Sequence, residues 1–312
     1  MKIAYLIMAY DQPQLFGRLV EALQHEGATL YAHIDRKHDA GPFRAVAGAL
    51  PVRFIEQPVE VNWGGYSQVE AMLKLLAAAV QDGHDHYIFL SGRDYPVRPH
   101  GELQALLAQD PQRSYINFYP LAPGSDFSRL VEIYAFRDLY PHIRPKALRS
   151  LTQLLVRAAN RVLPKRRFPA GFQPFRGSTS WCLSAAAAAY VVDFVRQDSS
   201  RELIRFFHSV TGADEIFFQT VLFNSPLAKY CAGYVPPGQE PPRRNENKVS
   251  LHYIDWDPAR ENPAVLELRD LAPIQASPKF FARKFDQARS ATLLAALDQQ
   301  RRDAGAAVSS PH

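Results

Sequence analysis

Lys2-Ile3-Ala4-Tyr5-Leu6-Ile7-Met8-Ala9 opens the chain with an almost unbroken apolar run. Such a run predicts a strand covered on both faces, as in a parallel sheet held between helix layers. Asp11-Gln12-Pro13 closes it, and Pro13 suits the first turn of a helix through Leu15, Leu19, Val20 and Leu23. Further strands are expected at 29–34, 52–55 and 86–90, with a helix through Val69, Met72, Leu73, Leu76 and Val80 before the last of them. The order β, α, β, β, α, β predicts an α/β fold, a Rossmann-like, mostly parallel sheet with helices on both faces. Polar residues fall just past the strand carboxyl ends: Tyr10 and Asp11, Asp35, and Asp94. In open α/β sheets ligands bind along that edge.

The later chain is read more coarsely. Helices are expected at 103–107, 130–139, 147–163 and 185–195, the last capped by Ser184, and strands at 115–118, 177–183 and 249–256. A basic, aromatic helix start is expected at 278–289. Without a repeat or a clean linker, residues 1–303 are expected to form one domain, and 304–312 a disordered tail.

Composition narrows the class. The chain has 312 residues, 47% apolar and 21% charged, which are values of a globular protein with a large core. Two cysteines, Cys182 and Cys231, are too few for a disulfide framework or a metal cluster. His33, His38, His84 and His86 are scattered without helical metal-ligand spacing, so no metal site is expected. With no cleavable leader or spanning segment, the expectation is a cytoplasmic protein. The net charge of +5 suits a phosphate-bearing substrate, and no zinc-finger or RRM signature points to nucleic acid.

One later stretch carries candidate chemistry. In Gly212-Ala213-Asp214-Glu215-Ile216-Phe217-Phe218, two acids precede an apolar run with helical spacing. Asp214 or Thr211 could cap that helix, where unpaired N–H groups favour negative charge. Glu215, at a polar–apolar boundary, is also placed to act as a general base. Asp214 either caps the helix or orients Glu215.

Seven stretches in order now resemble one family: Ala4 to Tyr10, Ala32 to Lys37, Trp63 to Ser67, Leu90 to Pro96, Gly177 to Trp181, Asp214-Glu215, and Phe281 to Asp286. The family is that of the core-2/I-branching N-acetylglucosaminyltransferases and peptide O-xylosyltransferases, glycosyltransferase family 14. The resemblance spans about residues 3 to 286. It implies a GT-A fold and an inverting displacement from a UDP-sugar, without a catalytic metal or other cofactor. N-acetylglucosamine is the favoured sugar, with xylose and glucuronate as alternatives, and the acceptor is a glycan or a lipid-linked glycan. A non-catalytic nucleotide-sugar or carbohydrate binder is the alternative of a different class.

By the same resemblance Glu215 is the catalytic base, Asp35 meets the uridine, Trp63 lies near the nucleotide, and Lys284 meets the diphosphate. The family's second diphosphate contact, an arginine in the late strand, falls on His252. A neutral-pH histidine carries only part of a positive charge, so Arg243, Arg244 and Arg283 are candidates to replace it. The residues alone leave alternatives. Asp35 could cap the next helix, Trp63 could be a core aromatic, and Asp94 either anchors the donor sugar or braces the Tyr95-Pro96 turn. Ser178 and Trp181 are candidates for the floor of the sugar pocket. Asp255-Trp256-Asp257 matches the metal-binding D-x-D pattern but lies too late in the chain. At the usual mid-chain place stands Arg93-Asp94, with a single acid.

Finally, Arg144, Lys146, Arg149, Arg157, Arg161, Lys165, Arg166 and Arg167 crowd a stretch without an acid. Leucines interleave at helical spacing. This predicts either a surface helix packed on the sheet or a peripheral contact with an anionic membrane at its inner face.

Overall fold

The computed structural model of the chain describes residues 1–125, 127–236, 238, 239 and 248–309, with side chains as far as residue 303. Its strands are β1 (Ile3–Ala9), β2 (Ala28–Ile34), β3 (Val52–Phe54), β4 (His86–Ser91), β5 (Asp94–Pro96), β6 (Tyr115–Ile116), β7 (Tyr119–Pro120), β8 (Phe175–Arg176), β9 (Trp181–Ser184), β10 (His252–Ile254) and β11 (Phe281–Arg283). The main sheet has the order β3-β2-β1-β4-β9-β6. The first four strands run parallel, and β9 is antiparallel to both β4 and β6. This is the mostly parallel α/β arrangement that the β1 run called for.

β1 alternates its side chains between two apolar layers. Ile3, Tyr5 and Ile7 pack with the helix Pro13–Ala22, with β11 and with Leu293, Leu294 and Leu297. Ala4 and Leu6 pack with the helices Tyr66–Val80, Ala185–Arg196 and Phe217–Phe223. Period-two alternation with both faces covered explains why the run contains no polar break. The carboxyl ends of β1, β2 and β4 therefore point the same way and carry Tyr10, Asp35 and the turn into Asp94.

Several expectations are corrected. A helix, Gly41–Ala47, stands between β2 and β3 where none is expected. Of the 130–139 helix, only Arg129–Glu132 is helical. The 278–289 segment is not a helix start: β11 is a strand, parallel to β10 and antiparallel to β5. The last helix, Ala291–Ser309, runs through the beginning of the expected tail, while 310–312 lie outside the described residues. The helix Lys146–Val162 forms as expected but is not packed on the sheet, since none of its residues is buried. No helix among the described residues is long and apolar enough to cross a membrane.

Candidate active site

Glu215 ends a tight 3-10 turn, Ala213–Glu215, entered through Gly212 at φ +71°. Two neighbours fix this turn through backbone contacts. Gly212 N–H donates to the Gly64 carbonyl at 2.9 Å, and Gly177 N–H donates to the Glu215 carbonyl at 2.8 Å. A Cβ on Gly177 would lie 1.7 Å from the Asn117 carbonyl oxygen, so only glycine allows this approach.

The Glu215 carboxylate is paired with Arg176, whose Nη2 donates to Oε2. Arg176 is itself anchored, with Nη1 donating to the Tyr119 hydroxyl at 2.8 Å and the guanidinium 4.1 Å from the Phe127 ring centroid. Burial by itself would lower the Arg176 pKa, but Glu215 and Tyr119 outweigh it and the net direction is upward. Glu215 is thus an oriented carboxylate beside a fixed cation, partly open to solvent.

Asp214 does not cap the following helix, which has no side-chain cap. It is buried and turned the other way, accepting from Gln68 Nε2 and Thr179 Oγ1, each at 2.8 Å. Burial, with the neighbouring Glu215 charge, pushes its pKa up to about 6. Asp214 therefore locks the turn that presents Glu215. Gln68 also reaches Gly64 N–H at 3.4 Å, which ties the acid pair to the Trp63 turn.

That turn is built for display. Trp63 is 81% exposed, so it is not a core aromatic, and Arg137 stands 5.9 Å from its ring centroid. The residues beneath it are held hard. Asp138 accepts from Ser67 Oγ at 2.5 Å and Ser67 N–H at 3.1 Å. A Cβ on Gly65 would lie 2.3 Å from Asp138 Oδ1. Asp35 is buried at the end of β2 and does not cap the helix Gly41–Ala47, which has no side-chain cap. Its Oδ1 accepts from Lys37 N–H at 3.0 Å and Val61 N–H at 3.2 Å, joining the β2 edge to the Trp63 loop. Tyr10, half exposed, lies with its ring centroid 5.8 Å from that of His38.

A second cluster forms where β5, β10 and β11 meet. Asp94 is buried and accepts from Ser91 N–H at 2.7 Å and Ser91 Oγ at 2.8 Å. His252 Nε2 stands 3.5 Å and Arg283 Nε 3.6 Å from its oxygens. Burial alone would raise the Asp94 pKa; Arg283, His252 and Ser91 reverse that, and it is held below the usual carboxylate range. The His252 side chain is 1% exposed and stacked on Phe281, with 5.2 Å between ring centroids. It faces Asp94 rather than open solvent. Arg283 keeps a quarter of its side chain exposed. Arg243 and Arg244 lie outside the described residues. Lys284 follows Arg283, half-buried, and its side chain makes no hydrogen bond or ion pair among the described residues.

One candidate is placed differently from expectation. Trp181 is 1% exposed, with its ring centroid 5.4 Å from that of Phe89 and 5.1 Å from that of Phe218. It is a core residue rather than a pocket floor, because it begins β9 between two apolar layers. Ser178 braces its own turn: its hydroxyl accepts from Ser180 N–H at 3.2 Å and its carbonyl from Gln219 at 2.8 Å. The sequence reading missed Arg176, Gln68, Thr179 and Asp138. For Arg176 the available signal was an arginine between Phe175 and Gly177, in a loop otherwise aromatic and prolyl.

The family model described as Core-2/I-Branching enzyme matches residues 3–281. The chain belongs to this family. Xylosyltransferase 2 of Canis lupus familiaris is 26% identical over 311 residues, covering 95% of this chain and 33% of its own length. Xylosyltransferase 2 of Homo sapiens is 26% identical over 310 residues, with the same coverage. The chain thus spans a third of the length of these relatives. Among solved structures, apo mouse xyloside xylosyltransferase 1 has a TM-score of 0.35 at 14% identity, covering 72% of this chain and 83% of its own. The matched segment contains Glu215 and the Trp63 turn.

Proposed function

We propose that the chain transfers a sugar from a UDP-sugar to a hydroxyl of a glycan or lipid-linked glycan, by a single inverting displacement in which Glu215 is the general base. The observation that carries this reading is the presentation of Glu215 on a turn fixed by Gly64, Gly177 and Asp214, next to an outward-facing Trp63. Glu215 takes the acceptor proton as the oxygen attacks the anomeric carbon. Arg176 holds the carboxylate in place before the acceptor arrives. Trp63 offers its face to the uracil, and Asp35 fixes the loop beneath it.

The departing diphosphate gains negative charge, and fixed cations aimed at it lower the barrier. Lys284, without an ion-pair partner among the described residues, supplies one such charge, and Arg283 another. Lys284→Ala is expected to weaken UDP binding about 10- to 100-fold, the worth of a charge-assisted bond to phosphate. Isothermal titration with UDP checks this, and unchanged affinity removes Lys284 from the site.

Support for a metal-free reaction lies in how the candidate acids are used. Asp94 is enclosed by Ser91, His252 and Arg283. Asp255 is tied to Arg260 at 2.6 Å, and Asp257 accepts from Ala259 N–H at 2.9 Å, so the D-x-D match braces a turn. Turnover is expected to survive EDTA undiminished; loss in EDTA with recovery on adding Mn²⁺ contradicts it.

N-acetylglucosamine is the proposed sugar. Xylose is the second reading, favoured because the relatives are named xylosyltransferases. A panel of UDP-sugars, scored for UDP release and for thermal stabilisation, tests both. Release from one member identifies the donor. Stabilisation by UDP without release from any member leaves a binder and overturns the enzymatic reading.

A further inference from the structure

The helix Lys146–Val162 is turned inside out. An amphipathic surface helix normally packs its apolar stripe on the core and shows its polar face to water. Here Leu148, Leu151, Leu154 and Leu155 are 51%, 50%, 56% and 60% exposed, and Val162 just beyond them is 83% exposed. The less exposed side is Arg149, Thr152, Gln153, Val156, Ala159 and Asn160, four of the six polar. Asn160 fastens that side to the body: its Oδ1 accepts from Tyr134 N–H and its Nδ2 donates to the Tyr134 carbonyl, both at 2.8 Å. At 100° per residue the leucine stripe lies more than a quarter-turn away from Asn160. An exposed stripe of this kind marks an interaction surface.

The charges around the stripe state what covers it. From Leu139 to Arg167 the sequence contains no Asp or Glu. Lys165 pairs with Glu132, and Arg166 is spent on the carbonyls of Ile133, Phe206 and Ser209. Arg144, Lys146, Arg149, Arg157, Arg161 and Arg167 have no side-chain hydrogen bond or ion pair among the described residues. A second copy of this helix would bring two such cationic sets together, which disfavours a homodimer through this face. A surface that is apolar within and anionic at its boundary satisfies both sets at once.

We propose that the helix Lys146–Val162 docks the protein on the surface of an anionic phospholipid bilayer, with its leucines at the acyl boundary and its free bases among the headgroups. The same excursion of the chain carries Arg137 and Asp138, which stand against the Trp63 turn and brace it. Docking therefore brings the edge that holds Trp63 close to the lipid surface. This inference does not depend on the proposed transfer reaction.

Flotation with vesicles tests it. The protein is expected to bind vesicles of phosphatidylglycerol and phosphatidylcholine, to lose binding as salt rises, and to ignore phosphatidylcholine alone. Each basic residue near such a surface contributes about fivefold in affinity, so Arg157→Gln with Arg161→Gln is expected to weaken binding about 25-fold. Leu151→Gln with Leu155→Gln is expected to weaken it about tenfold or more. Because the helix buries none of these side chains, both variants keep the parent melting temperature. The proposal is overturned if the protein stays unbound with the anionic vesicles at low salt, or if the leucine variant floats like the parent. It is equally overturned if light scattering shows a dimer that the leucine substitutions dissociate while vesicle binding is absent, which assigns the face to a second copy.

Discussion

Glu215→Gln is expected to slow sugar transfer about 10²- to 10⁴-fold, the usual cost of removing a general base, while UDP-sugar affinity stays within a few-fold of the parent. The substitution keeps size and hydrogen-bonding capacity but cannot accept the acceptor proton. The turn itself is held by Gly212 N–H on Gly64, Gly177 N–H on Glu215, and Asp214 between Gln68 and Thr179, none of which uses the Glu215 carboxylate. Arg176 loses its charged partner but keeps Tyr119 and the Phe127 ring. Single-turnover transfer with titrated UDP-sugar separates the two effects. A mutant rate within a few-fold of the parent removes Glu215 from the chemistry, and an equal loss of donor affinity makes it a structural residue.

Trp181→Ala is expected to destabilise the fold by about 3–5 kcal/mol, the range for emptying a buried aromatic site. The ring fills the space between Phe89 and Phe218 where β9 meets β4, and its 1% exposure leaves no route to a sugar. Its indole N–H has no hydrogen-bond partner among the described residues, so Trp181→Phe removes volume without orphaning a partner. Urea denaturation should show the alanine variant far less stable and the phenylalanine variant intermediate. UDP-sugar turnover by Trp181→Phe is expected to match the parent below the transition. A stable Trp181→Phe protein that no longer binds donor would return Trp181 to the sugar pocket.

These residues show where the sequence was legible. β1 was readable because its signal is local: an unbroken apolar run has few places to go except between two layers. Glu215, Asp35, Trp63 and Lys284 were singled out through the family pattern, and the fold brings the Glu215 turn against the Trp63 turn through Gly212 N–H on the Gly64 carbonyl. Asp214 was left between two roles, capping the helix or orienting Glu215, for a physical reason. An acid before an apolar run suits an N-cap, but its actual partners, Gln68 and Thr179, are 146 and 35 residues away in sequence. β11 was misread as a helix start because Phe280 to Arg283 has no decisive period, and its pairing with β5 is a tertiary contact. Arg176 stood out only as an arginine in an aromatic and prolyl loop, because nothing in Phe175-Arg176-Gly177 says that β8 turns the guanidinium toward Glu215. The helix at 146–162 was legible as a helix; which face it shows depended on Asn160 reaching Tyr134.

The central claim is that Glu215 activates an acceptor hydroxyl for direct attack on the sugar, in one step and without a metal. Direct attack inverts the anomeric centre, whereas a carboxylate acting as nucleophile gives a covalent intermediate and retention. The most direct measurement is therefore the anomeric configuration of the first-formed product, read by proton NMR from an α-linked UDP-sugar in the presence of EDTA. The expected result is a β-linked product formed at the full rate. An α-linked product, or no product until Mn²⁺ is supplied, would contradict the account.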